Sequence, residues 1–199
     1  MNRREWIKQS TLLAGTAAAL PGLIRKGGGA RRKVLSVAHL TDVHIRPEND
    51  IPSRFSQLLA KLQKDHSFDF ILNGGDTIHA ADYDHITRDR VLEQWQAWDE
   101  SVSFLKEEGV EIHSCLGNHD MWWAAPDKDD TMCGKPYVVE RLGIPRRYYS
   151  FQKTNWHFFI LDANHDGITL DEQQLNWLDD ALAAIPDGEF ALLMSHYPI

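Results

Sequence analysis

Cysteine is scarce: Cys115 sits in an apolar run and Cys133 in a polar loop, and there is no third. Two isolated thiols lack the spacing of a thiolate metal site, and these settings disfavour a disulfide between them. Cys115 reads as a small buried hydrophobe. Long apolar runs are lacking too. The best candidate, Thr11 to Ile24, is broken by Pro21 and Gly22 and falls short of the roughly 20 residues that span a bilayer, so no stable membrane span is expected. Nor is there a basic surplus. The net charge is −8, and the first 30 residues hold five of the 21 Lys and Arg against one of the 29 acids, which leaves −12 on the remainder. An acidic body excludes general nucleic-acid binding, which needs a basic footprint. It leaves room for a phosphorylated substrate if metal cations sit in the site. No internal repeat or low-complexity linker follows residue 33. With 43% hydrophobic and 25% charged residues, the 199-residue chain suits one globular domain.

The first 30 residues read as an address. Arg3 and Arg4, then Trp6, Ile7 and Lys8 ahead of the apolar stretch, resemble a twin-arginine export signal, with Asn2 and Trp6 as departures. The resemblance implies the twin-arginine export machinery as a partner and a periplasmic or secreted destination. Small residues at Ala17 and Ala19, or Gly28 and Ala30, offer two cleavage sites. The division expected is therefore 1–30 signal and 31–199 domain.

Strand-like and helical patterns alternate through the body. Lys33 to Leu40 and Phe68 to Asn73 read as buried strands around a helix from Pro52 to Asp65, a β-α-β unit with parallel strands. A longer helix is expected over Asp82 to Glu108, with Val91, Trp95, Trp98, Val102 and Leu105 on one face, followed by a strand from Val110 to Leu116. Then come a short helix over Pro136 to Leu142, a hairpin of Arg147–Lys153 and Trp156–Asp162 turning at Thr154 and Asn155, a helix over Asp171 to Ile185 with Thr169 as a cap, and a last strand over Phe190 to Met194. The chain stops at Pro198 and Ile199, just past a strand end where a functional loop is expected, which reads as a truncation.

Every strand of the parallel type is followed by metal-ligating chemistry. Asp42 and His44 follow the first, Gly74-Gly75-Asp76 the second, Gly117-Asn118-His119-Asp120 the third, and His196 the last. Each motif alone has a bland reading: Asp-x-His as a cap, Gly-Gly-Asp as a turn. Together they bring Asp42, His44, Asp76, Asn118, His119 and His196 to one crevice, because loops at the carboxyl ends of strands converge in an open α/β sheet. Carboxylate, imidazole and amide oxygen suit two divalent ions of the Mn, Fe or Zn type. Asp76, in the middle strand, is the carboxylate placed to bridge them.

The ordered set Asp-x-His, Gly-Asp, Gly-Asn-His-Asp and a single His resembles the calcineurin-like metallophosphoesterases, in four of that family's five blocks over residues 42 to 196. The resemblance implies an α/β/β/α sandwich with its metal site at strand carboxyl ends, incomplete at the C-terminus because the fifth block, Gly-His-x-His, is absent. It implies Asp42 and His44 on the first metal, Asp76 bridging, and Asn118 and His196 on the second. His119 is then the general acid rather than a ligand, and the activity is hydrolysis of a phosphorylated small molecule by metal-bound hydroxide. The alternative is a catalytically inactive metal-binding or interaction protein, or a fragment. The serine/threonine phosphatase branch continues Gly-Asp-x-x-Asp-Arg-Gly, whereas Asp76 is followed by Thr77-Ile78-His79-Ala80. His79 thus stands where a carboxylate would orient the catalytic imidazole, and a protein phosphatase is disfavoured. The tyrosine ligand of purple acid phosphatases is also absent. Trp122 and Trp123 either stack on a base or sugar or simply wall the pocket, Tyr197 faces substrate, and His79, His85, His113, His157 and His165 are structural or solvated.

Overall fold

Phe70-Ile71-Leu72-Asn73 is buried at all four positions, and a strand with no solvent face belongs in the middle of a sheet with layers on both sides. In the computed structural model, which describes residues 35–166 and 168–199, this strand, β2 (Phe70–Asn73), lies between β1 (Val37–Leu40) and β3 (Glu111–Ser114), parallel to both. Residues 1–30, with the export signal and its cleavage site, lie outside the described residues.

Parallel neighbours need crossovers, and two amphipathic helices provide them: α1 (Ile51–His66) between β1 and β2, and α2 (Arg88–Glu107) between β2 and β3. Ile71 shares a continuous core with Leu59 of α1 and with Val91, Trp95, Trp98, Val102 and Leu105 of α2. On the opposite face, the Phe70 ring meets Phe158 edge-on at 5.2 Å and Phe151 at 5.6 Å. These two rings belong to a second sheet, in which β5 (Trp156–Ile160) pairs antiparallel with β4 (Tyr149–Lys153) and parallel with β6 (Phe190–Met194). Alternation along β5 turns Phe158 and Ile160 toward the first sheet. Phe159, with Leu161 beyond it, packs with Leu178 of α4 (Glu172–Ala183). A shorter helix, α3 (Lys135–Leu142), joins the two halves. The result is the expected helix, sheet, sheet, helix layering.

Three local expectations need correction. The second crossover helix starts at Arg88 rather than Asp82, because the Thr87 hydroxyl accepts from Arg90 N at 3.3 Å and caps it there. The cap of α4 is Asp171, not Thr169: its Oδ1 accepts from Gln174 N at 2.9 Å. The strands are also shorter than their apolar runs: β3 ends at Ser114, Cys115 N still donates to Asn73 O at 3.0 Å, and Leu116 fills the core beyond it. Cys115 and Cys133 are both free thiols. Among the described residues, no helix is long and apolar enough to cross a membrane.

Candidate metal centre

Leu40, Asn73 and Ser114 are cross-strand partners, so β1, β2 and β3 end side by side and their loops leave from one edge. The first two loops stay laddered beyond the strands: Asp42 N donates to Gly75 O, His44 N to Asp76 O and Ile45 N to Thr77 O, each at 3.0 Å. Asp42, His44 and Asp76 all have positive φ, at 54°, 46° and 51°. Non-glycine residues rarely sit there, and a cluster of such strain marks positions held for a purpose other than packing. The third loop lies directly against the second. A Cβ on Gly117 would fall 1.9 Å from Asp76 N, so only glycine fits.

Asp120 straps these loops together. Its carboxylate is fully buried and accepts from Thr77 N at 2.8 Å, Ile78 N at 3.3 Å and Gly117 N at 2.8 Å. Burial pushes its pKa up to about 7, against the pull of those three N–H donors. Asp120 is therefore occupied within the protein and is not one of the converging donors.

Asp76 sits at the centre. It is 3% exposed, its Oδ1 accepts from His119 N at 3.0 Å, and its Oδ2 lies 3.5 Å from His196 Nε2, 3.7 Å from His44 Nε2 and 4.0 Å from His119 Nε2. Asp42, Asp76 and His196 present ligand atoms all within 4.8 Å of one another. Asn118 Oδ1 is 3.0 Å from His196 Nε2. Two backbone carbonyls orient the imidazoles: His79 O lies 3.1 Å from His44 Nδ1, and Gly74 O lies 2.9 Å from His196 Nδ1. A proton on each Nδ1 leaves each Nε2 lone pair facing Asp76, the arrangement of metal-binding histidines. No Lys or Arg pairs with Asp42 or Asp76 among the described residues. A carboxylate buried like Asp76 costs several kcal/mol unless a cation offsets it. Donor type, tautomer and missing counter-charge all fit divalent ions at this place.

The orienting carboxylate for His119, read from the sequence as replaced by His79, is present after all. Asp82 Oδ1 lies 2.6 Å from His119 Nδ1. The loop before α2 delivers it: buried Gln94 of α2 grips both Ala80 N and Ala80 O, and Ala81 N donates to His119 O at 2.7 Å. Burial lowers the His119 pKa, but the hydrogen bond and charge of Asp82, with Asp76 and Asp120 behind, raise it overall. His79 takes a different part, holding His44 through its carbonyl while its ring accepts from Arg46 Nη1 at 3.3 Å. The signal for Asp82 was a carboxylate six residues past Asp76 in a stretch whose polarity resembles a helix start.

Trp122, expected against substrate, is instead 4% exposed, and its Nε1 donates to Ile86 O at 3.2 Å. It anchors the loop before α2. Trp123, 48% exposed, is the tryptophan left at the surface. Tyr197 stands beside His196, with ring centroids 4.9 Å apart, and burial together with the Asp76 and Asp82 charges keeps its hydroxyl protonated. His165 lines a cavity with Trp123 and Tyr197, whereas His113 stacks on Phe151 and His157 pairs with Glu189.

The family model for calcineurin-like phosphoesterases matches residues 35–199. The chain belongs to that family. No curated protein matches it. Among solved structures, it is similar to Yfce, a phosphoesterase from E. coli, at 13% identity and a TM-score of 0.38, over 69% of this chain and 63% of that one. At that distance the likeness carries no functional argument. The chain thus spans less than two thirds of that phosphoesterase.

Proposed function

We propose that this family member hydrolyses a phosphoester of a small molecule with two divalent ions of the Mn, Fe or Zn type. The observation that carries the reading is Asp76, a buried carboxylate that no Lys or Arg pairs with among the described residues, ringed by imidazole nitrogens turned toward it. Asp42 and His44 would hold one ion, Asn118 and His196 the other, and Asp76 would bridge them. When bound, the ions supply a nucleophile drawn from water and neutralise the phosphoryl oxygens. His119 is the proton donor: Asp82 fixes Nδ1 and leaves Nε2 to hand its proton to the departing oxygen. Asp82 is a positioning residue, since it acts through His119.

The test is hydrolysis of p-nitrophenyl phosphate and bis-p-nitrophenyl phosphate by the Mn-, Fe- or Zn-loaded protein, with bound metal counted by elemental analysis. Turnover is expected, and Asn118→Ala should lower metal content. Absence of turnover together with unchanged metal content in Asn118→Ala sinks the reading. The proposal extends to export, supported by Arg3 and Arg4 ahead of the apolar stretch. Replacing both arginines by lysine should retain the protein in the cytoplasm, and unaltered export removes that part.

A further inference from the structure

Between the loop after β5 and the start of α3 lies a cavity of about 570 Å³, within the range of small-molecule sites. Its lining includes Trp123, Lys135, Asn164, His165, Ile168 and Tyr197. Two contacts join it to the metal centre. Tyr197 follows His196 directly, and Asn164 Nδ2 donates at 2.8 Å to Leu116 O, the carbonyl just before Gly117.

The walls say what fits. Trp123 and Ile168 are about half exposed, at 48% and 52%, large apolar side chains that core packing would have covered. Tyr197 adds a second ring. Lys135 is not a free cation, because its Nζ donates to Asp162 Oδ2 at 2.7 Å and to Asn164 O at 2.6 Å. Asp166 adds a negative charge to the lining. Among the described lining residues Lys135 is the one Lys or Arg and it is paired, so a second phosphate would find no unpaired lysine or arginine, whereas a flat uncharged ring would cover the exposed tryptophan.

We propose that this cavity holds the organic part of the phosphoester and selects a planar, uncharged ring by stacking on Trp123 and Tyr197. The inference rests on the hydrolase reading above and names its substrate class. Stacking of this kind contributes roughly tenfold to a hundredfold in affinity. The Asp82 and His119 pair is indifferent to the organic group, so selectivity resides in the cavity.

The experiment compares kcat/KM for 1-naphthyl phosphate with kcat/KM for glycerol phosphate on the metal-loaded full chain, in wild type, Trp123→Ala and Trp123→Phe. The ratio removes the difference in leaving-group chemistry. The naphthyl preference is expected to fall at least about tenfold in Trp123→Ala, mainly through KM, and to return largely in Trp123→Phe. Calorimetry with 1-naphthol, which carries no phosphate, should show binding to wild type that Trp123→Ala loses. Ile168→Ala, another exposed apolar residue of the lining, gives the same readout if Trp123→Ala does not fold. An unchanged ratio, or equal naphthol binding by wild type and variant, overturns the proposal. Failure of the hydrolase reading looks different: neither ester turns over, while naphthol binding still reports on the cavity.

Discussion

Asp76 and Asp162 are both buried carboxylates just beyond strand ends, each after the middle strand of its sheet, and their charges are met in opposite ways. Asp162 is fully buried, and its Oδ2 receives Lys135 Nζ at 2.7 Å and Arg147 Nη1 at 3.0 Å; Arg147 Nη2 continues to Asp171 at 2.6 Å. That network is closed within the chain. Asp76 has imidazoles and a backbone N–H around it and no Lys or Arg among the described residues, which leaves its place open to a compensating cation from outside. The same physical cost of burial is met by packing in one sheet and left for a ligand in the other, which separates a structural carboxylate from a functional one.

The sharpest way to break the comparison is to neutralise each acid in turn. Asp76→Asn should abolish metal binding and hydrolysis while leaving the metal-free fold at least as stable, because it removes an uncompensated buried charge, checked by elemental analysis and urea unfolding. Asp162→Asn should do the reverse, costing about 3 kcal/mol by leaving partly buried Lys135 without a carboxylate and Arg147 with Asp171 alone, seen as a lower urea midpoint. If both substitutions cost stability alike, the distinction fails. Next in size is Asp82→Asn, expected to lower kcat about a hundredfold while metal content stays at the wild-type level, because it touches the proton donor and no ligand. A loss of metal there would place Asp82 on the ligand side instead.

The smallest effects probe the closed network. Burial would raise the Asp171 pKa, but Gln174 N–H and Arg147 outweigh it and hold the carboxyl below its usual value. A depressed carboxylate contributes stability above its unfolded pKa of about 4 and loses it as pH falls through the folded value. Stability should therefore decline below about pH 4, and Asp171→Asn should flatten that slope in urea titrations at successive pH values. Thr87→Ala should cost about 1 kcal/mol by uncapping α2. It should also loosen the loop that carries Asp82, detectable as faster hydrogen exchange at Ala81.

Much of this architecture was legible beforehand. Apolar runs located the strands, and the turn at Thr154 and Asn155 fell between β4 and β5 as the pattern indicated. The candidate donors Asp42, His44, Asp76, Asn118 and His196 were visible because each follows a strand, and parallel strands send their loops to one edge. Asp82 was hidden because its polar neighbourhood extends the amphipathic pattern of α2 backward, and only the Thr87 cap shows that the helix does not begin there. Trp122 and Trp123 were indistinguishable by position. Their roles part because one ring enters the core and donates to Ile86 O while the other turns to the cavity.

The sequence by itself determined the family, the layered α/β class and which candidate donors stand at strand ends, since these follow from local periodicity and from ordered motifs. Only the tertiary structure decided which carboxylate steadies His119, which nitrogen of His44 and His196 faces Asp76, and which tryptophan lines the cavity. Those outcomes depend on contacts such as the one between Asp82 and His119, 37 residues apart, where loop closure and backbone hydrogen bonds rather than periodicity set the distance.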